Sequence, residues 1–309
     1  MRPIETILVP VDFSDCSWLA LEYAASLAGR LGARVHVLHA WEAPEAMLPA
    51  ANESVYSGQL VVLAERFASS RLSELVQAAR IKGLPIDGSF LEMGSPWRSI
   101  VNIAGERHYD LIVLGTHGRK GLSHALLGSV AEKVVRCAPC PVLTVHGRSE
   151  SVVSGARRIL VPIDYSEGAG SALACAARIS RRLGAELDIV HVWDRPAFVP
   201  DQAFVETEGG HRRALGELVR ENAEREMLAF LGARRDLFEP RESLPGHRLL
   251  SGEPASTLLG ELELGKHDLV VMGTRGRTGF KHLLLGSVAE KLVRFSPVPV
   301  LTVPPVSDP

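Results

Sequence analysis

Two periods alternate along this chain. Short continuous apolar runs rich in β-branched residues, such as Thr6 to Val11 (TILVPV), Arg34 to His39 (RVHVLH), Leu111 to Leu114 and Pro141 to Val145 (PVLTV), have the length and composition of strands buried on both faces. Between them the apolar positions switch to helical spacing. Ala20, Leu21, Ala24, Leu27, Ala28 and Leu31 predict a first helix, with Ser14 as its N-cap and Gly32 as its stop. After an unpatterned loop over Glu42 to Gln59, a long helix is predicted over Leu60 to Ile81, with Leu63, Phe67, Leu72, Leu75 and Val76 as its apolar candidates. A strand over Ile86 to Met93 and a helix from Gly94 and Pro96 to about His108 come next. Buried strands joined by single helices make right-handed crossovers, so the sheet is expected to be parallel, with element order βαβαβαβαβ.

The pattern then starts again. Arg158 to Asp164 (RILVPID) restates Thr6 to Asp12 at an offset of 152, and Ser166 restates Ser14. Ala172, Leu173, Ala176, Ile179 and Leu183 restate the first helix, and Leu187 to Val192 the second strand. By Gly252 the offset has grown to 158, so the second half carries a net insertion of six residues. It falls within Asp194 to Leu250, whose long helix near His211 to Leu231 is charged on one face and reads as solvated there. The organisation is two α/β domains of one design, over residues 1–147 and 157–309, with 148–156 as a linker.

Length and composition agree: 309 residues suffice for two domains of about 150 residues. Hydrophobic residues at 46% and charged residues at 23% describe a globular protein with ample core. A net charge of −2 gives no electrostatic case for a nucleic-acid partner. Met1 to Phe13 shows no leader-like apolar core and no apolar run reaches about 18 residues, so no membrane partner is expected and the expected location is cytoplasmic. Cys137 and Cys140 form a C-x2-C after the end of a predicted helix, but their second-half counterparts are Phe295 and Val298. That asymmetry excludes a symmetric four-thiolate zinc site, and the pair is not read as a redox or metal centre.

The repeat is tightest where chemistry is expected. Gly115 to Arg136 and Gly273 to Arg294 are identical at 16 of 22 positions, and both carry the spacing G-x2-G-x9-G-S: Gly115, Gly118, Gly128, Ser129 in one, Gly273, Gly276, Gly286, Ser287 in the other. Each block leaves a buried strand and feeds a helix, so glycines admit a ligand to the backbone while unpaired N–H groups and the helix dipole favour an anion. Ser129 with Glu132 and Ser287 with Glu290 match the S-x-x-E capping box. Asp12 and Asp164 close the first strands; a carboxylate beside a phosphate cradle suits a ribose hydroxyl or a phosphate-bridging metal ion. The alternative for each aspartate is a helix cap. Arg119 and Arg277 are the arginines of the loops that could touch phosphates, with solvent exposure as the alternative.

With VPVDFS and VPIDYS at the two starts, VLHAW and IVHVW at the second strands, both glycine motifs, and the closing CPVLTV and VPVLTV, the sequence resembles the universal stress protein family in its tandem form. The resemblance implies a Rossmann-like open sheet of order 3-2-1-4-5 in each domain and, for members with the glycine motif, ATP binding. It carries Asp12 and Asp164 to the acid near ribose and a magnesium ion, and Ala40 and Val192 to the position whose backbone meets adenine. It carries the two glycine–serine sets to the triphosphate loop. His39 and His191 read as strand packing. The family pattern also implies an intramolecular pseudo-dimer through the fifth strands, Val142 to Val145 and Val300 to Val303. An exposed sheet edge or the charged helix could support a homodimer, and protein partners are not identified.

Three functional classes follow: a nucleotide-dependent regulator in stress response, a slow ATPase or phosphotransfer enzyme, and an adaptor in which nucleotide is structural. The loop lacks a G-K-[ST] ending and the sequence identifies no base for an attacking water, so at most slow hydrolysis and no catalytic residue are expected.

Overall fold

The computed structural model describes residues 3–42, 54–116, 127–146, 156–193, 204–206, 212–238, 245–276 and 285–305. The chain divides into two compact units, Met1–Gly155 and Ala156–Pro309. Unit 1 runs β1 (Thr6–Pro10), α1 (Asp15–Leu31), β2 (Arg34–Trp41), α2 (Ser54–Ile81), β3 (Gly88–Met93), α3 (Pro96–Glu106), β4 (Leu111–Gly115), α4 (Ser129–Cys137) and β5 (Val142–Val145). Its strands are parallel in the order β3-β2-β1-β4-β5. The middle of the sheet is its driest part: Ile7, Leu8 and Val9 of β1 and Ile112 and Val113 of β4 are fully buried, as the unbroken apolar runs require.

Unit 2 repeats the plan with β6 (Arg158–Pro162), α5 (Glu167–Leu183) and β7 (Glu186–Trp193). A short antiparallel ribbon, β8 (Phe204–Glu206) with β9 (Arg212–Ala214), then leads into α6 (Leu215–Gly232). β10 (His247–Ser251), α7 (Pro254–Glu263), β11 (Leu269–Gly273), α8 (Ser287–Phe295) and β12 (Val300–Val303) complete it. The parallel order is β10-β7-β6-β11-β12, the same 3-2-1-4-5 arrangement. In both sheets the order reverses between the first and fourth strands, which opens a crevice beyond their carboxyl ends.

Local chemistry explains the boundaries. Ser14 caps α1 by accepting from the Ser17 N–H, and Ser166 caps α5 by accepting from Ala169. Gly32 and Gly184 end those helices in the left-handed conformation, at φ 72° and 65°. One carboxylate in each unit clamps the first and fourth strands together: Asp110 accepts from the backbone of Glu5 and Thr6, and Asp268 from that of Arg157 and Arg158. Among the described residues no helix is long and apolar enough to cross a membrane.

Three sequence expectations change. The long helix starts at Ser54, inside the predicted loop, whose residues 43–53 lie outside the described set. Within it Leu63 and Phe67 are exposed, at 64% and 65%, whereas Ala68, Leu72, Val76 and Ala79 form the buried stripe, because that row faces the sheet and the earlier turns extend past it. The charged helix of unit 2 begins at Leu215 rather than near His211, since Arg212–Ala214 pair as a strand first. The proposed linker lies almost wholly outside the described residues.

Candidate functional site

In unit 2 the first and fourth strands deliver their ends to one cavity of about 270 Å³. Its walls combine apolar side chains (Val192, Leu258, Met272, Val288) with a polar rim of Asp164, His191, Thr274, Arg275, Gly276, Gly286 and Ser287. Asp164 is oriented locally: its Oδ1 accepts from the Ser166 N–H at 3.1 Å and the Ser166 hydroxyl at 2.6 Å. Its other oxygen faces the glycine loop, where a Cβ added to Gly276 would fall 2.5 Å from Oδ2. Gly276 is thus a glycine because a carboxylate occupies the space of a side chain.

The other glycines have different reasons. A Cβ on Gly273 would come within 2.9 Å of the Gly168 backbone, and one on Gly115 within 2.8 Å of the Cys16 carbonyl oxygen. The first turn of the preceding helix packs directly on the strand end, so these two positions serve close packing. Gly286 donates its N–H to the Thr274 carbonyl at 2.9 Å, and Gly128 to Thr116 at 2.8 Å, which turns the returning loop back toward the strand it left.

The capping-box expectation is overturned. Gly128 and Gly286 are the N-caps of α4 and α8, with extended backbone (φ −60°, ψ 138° and φ −62°, ψ 143°), and no side chain caps either helix. Ser129 and Ser287 are the first helical residues instead, so their hydroxyls are one position too late to reach back over the first turn. The consequence favours an anion: in unit 2 the positive helix end meets the cavity, and among the described residues no N-cap side chain occupies its N–H groups.

Unit 1 places the same groups alike. Asp12 accepts from Ser14 N and Oγ at 3.1 and 2.6 Å, Ala40 lies next to last in β2, and Gly115, Gly128 and Ser129 stand at the ends of β4 and α4. Gly118, Arg119 and Arg277 lie outside the described residues. Arg275, which the sequence reading passed over in favour of Arg277, lines the unit 2 cavity; its signal was its place in the G-x2-G turn, between Thr274 and Gly276.

His39 and His191 have packing partners. His39 donates Nδ1–H to the Val11 carbonyl at 2.7 Å and His191 to that of Ile163 at 2.8 Å, because a carbonyl can only accept. His191 also borders the cavity, a location that period-two strand packing does not reveal. Burial pushes the Cys140 thiol up to about 12 and that of Cys175 to about 11, so neither is a ready nucleophile. Among the described residues no cluster of histidine, cysteine and acidic side chains could hold a metal ion unaided.

Residues 3–146 and 155–304 each match the model of the universal stress protein family. A universal stress protein of Mycobacterium bovis is 32% identical over 216 residues, covering 69% of this chain and 67% of that protein. A second one from the same organism is 27% identical over 325 residues, covering 98% and 96%. The crystal structure of a universal stress protein from Archaeoglobus fulgidus superposes with a TM-score of 0.63 at 24% identity, covering 98% of this chain and 99% of that one, a likeness of fold.

Proposed function

Because this chain belongs to the universal stress protein family, we propose that it binds ATP in each unit and acts as a nucleotide-dependent regulator in stress response. The observation that carries the reading is the unit 2 cavity. A carboxylate, a loop whose Gly273 and Gly276 have no room for a Cβ, a helix start with glycine as its N-cap and an apolar wall converge there. These donors fit an adenine nucleotide. The apolar wall and the Val192 backbone suit a base, Asp164 suits a ribose hydroxyl, and Gly276, Gly286, Ser287 and Arg275 suit phosphates. Asp12, Ala40, Gly115, Gly118, Gly128 and Ser129 are the corresponding set in unit 1, with Arg119 and Arg277 as further phosphate contacts.

A magnesium ion would arrive with the phosphates and would supply charge neutralisation between them and Asp12 or Asp164. The residues around the cavity bind and orient. The glycine loop lacks a G-K-[ST] ending, which favours regulation over efficient turnover. The test is the nucleotide content of the purified chain, released by denaturation and identified by chromatography and mass spectrometry. About two ATP per chain is the expected result. Release of ADP alone would shift the reading to hydrolysis. A chain that releases nothing, and takes up neither ATP nor ATP with magnesium, would leave the adaptor reading.

A further inference from the structure

The residue after each site aspartate has left-handed backbone: Phe13 at φ 65° and Tyr165 at φ 64°. Neither is a glycine or asparagine, so both conformations are held by what surrounds the ring. The Tyr165 ring stacks on His191, with centroids 4.3 Å apart and planes at 28°, and meets Phe230 of α6 at 5.7 Å. Its hydroxyl donates to the Ala223 carbonyl, in the middle of α6, at 2.9 Å. One side chain therefore joins α6 to both polar walls of the cavity: to Asp164 through a single peptide bond and to His191 through the ring. Unit 1 solves the same problem differently. Phe13 lies 4.3 Å from His39 with planes at 45°, and the Arg71 guanidinium of α2 covers its face at 4.9 Å. A phenyl ring has no hydroxyl with which to grip a helix backbone.

We propose that Tyr165 is a positioning residue that couples occupancy of the unit 2 cavity to α6, so that α6 is the element through which unit 2 reports its ligand state. This rests on the nucleotide reading above. A ligand that fixes Asp164 and fills the space beside His191 narrows the motion of Tyr165, whose backbone well is already narrow, and the directional hydroxyl bond passes that restriction to α6. α6 follows a ribbon that, among the described residues, only the second half shows, and it presents mostly charged, solvated residues, as an element read by partners would.

Tyr165→Phe removes one oxygen and installs the side chain that unit 1 uses at position 13, so the variant is expected to fold. Hydrogen–deuterium exchange of the full chain, with and without ATP and magnesium, is read together with calorimetric titration. In the wild type, ATP is expected to slow exchange at Gly273–Gly276 and also around Ala223. In Tyr165→Phe the slowing at Gly273–Gly276 persists while that around Ala223 disappears. Affinity at unit 2 falls about two- to tenfold, the worth of one net hydrogen bond, with unit 1 unchanged. A slowing around Ala223 that survives in the variant overturns the proposal, as does a wild-type α6 that ignores bound ATP. Failure of the nucleotide reading looks different, because Gly273–Gly276 would then not respond in the wild type at all.

Discussion

At the third position of its second strand unit 1 has His36, and unit 2 has Asp188. The two occupy the same register against the first strand, opposite Leu8 and Leu160, and each is surrounded by the residues its own copy supplies. Around Asp188, which is 4% exposed, Arg248 binds both carboxylate oxygens at 3.1 and 2.8 Å and His267 donates from Nε2 at 2.9 Å. Arg158 stands 3.8 Å away, and Glu261 takes the far side of Arg248 at 2.8 Å. Burial alone would raise the Asp188 carboxyl, but the hydrogen bonds from His267 and Arg248 outweigh it and hold it below the usual carboxylate range. The corresponding side chains of unit 1 are Phe90 and Tyr109. Tyr109 Oη and His36 Nδ1 are hydrogen-bonded at 2.7 Å, and the His36 ring meets Phe90 and Tyr109 edge-on at 5.6 and 5.5 Å. Burial lowers the His36 imidazole and raises the Tyr109 phenol, so both rings are neutral at pH 7, with the Arg107 guanidinium over Phe90 at 4.2 Å.

The opposite ends of the same sheets keep Asp12 and Asp164, the G-x2-G-x9-G-S spacing and the glycine N-caps. The contrast shows two kinds of constraint. An end that has only to be filled can be filled by edge-to-face aromatics or by an ionic cluster, even one that leaves His267 Nδ1 and Arg158 Nε buried without a hydrogen-bond partner. The glycine end has fewer equivalent solutions, because in unit 2 Asp164 occupies the space a side chain at Gly276 would need, and Gly115 and Gly273 each pack on the backbone of a helix start.

The largest effect expected from breaking this contrast is at Asp188. Asp188→Ala leaves His267 without its anion and Arg248 with Glu261 alone, and should destabilise unit 2 by about 3 kcal/mol, the low end for a broken buried pair because Arg248 keeps that partner and access to water. Urea unfolding followed by hydrogen exchange in both units checks this; an equal loss in unit 1 would contradict it. The transplant sharpens it. His36→Asp alone should cost unit 1 about 2 kcal/mol by half-burying a carboxylate against the Phe90 and Tyr109 rings, and adding Phe90→Arg with Tyr109→His should recover most of that loss. A triple variant no more stable than the single one would show that the cluster needs more than these three positions.

At the ligand end, Gly276→Ala should weaken ATP binding in unit 2 at least about tenfold, or about 1.4 kcal/mol, because its Cβ would fall on Asp164. Titration calorimetry should then show one strong site per chain, and two unchanged sites would refute the cradle.

The smallest effect is one of pH. The folded His36 lies below its ordinary value of 6.5, so the unfolded chain takes up that proton first. Its penalty is therefore absent above about pH 6.5 and grows as pH falls from there toward the folded value. Asp188 is shifted in the depressed-acid sense, so its contribution is complete above about pH 4 and fades only as pH falls further. Unfolding between pH 7.5 and 5 should show a loss in unit 1 that His36→Gln abolishes, and a slope unaffected by that substitution would break the assignment.

Much of this protein is written locally. Strand runs, helical stripes, the Ser14 and Ser166 caps, the Gly32 and Gly184 stops and the internal repeat are all set by residues a few positions apart, where period and propensity act directly. They fix two parallel α/β units, and the glycine spacing points to an anion site. Tertiary packing decided the rest. Ser129 and Ser287 lost the N-cap role because hydrogen bonds from Gly128 to Thr116 and from Gly286 to Thr274 set where each helix begins. Leu63 and Phe67 fit a helical period but fall outside the row that meets the sheet. Arg275 and His191 join one cavity, Tyr165 links His191 to α6, and Asp188 finds Arg248 and His267, only through strand register and helix docking between positions 26 to 84 residues apart. Periodicity tells a residue which face to take; the partner across that face is set by how the elements pack.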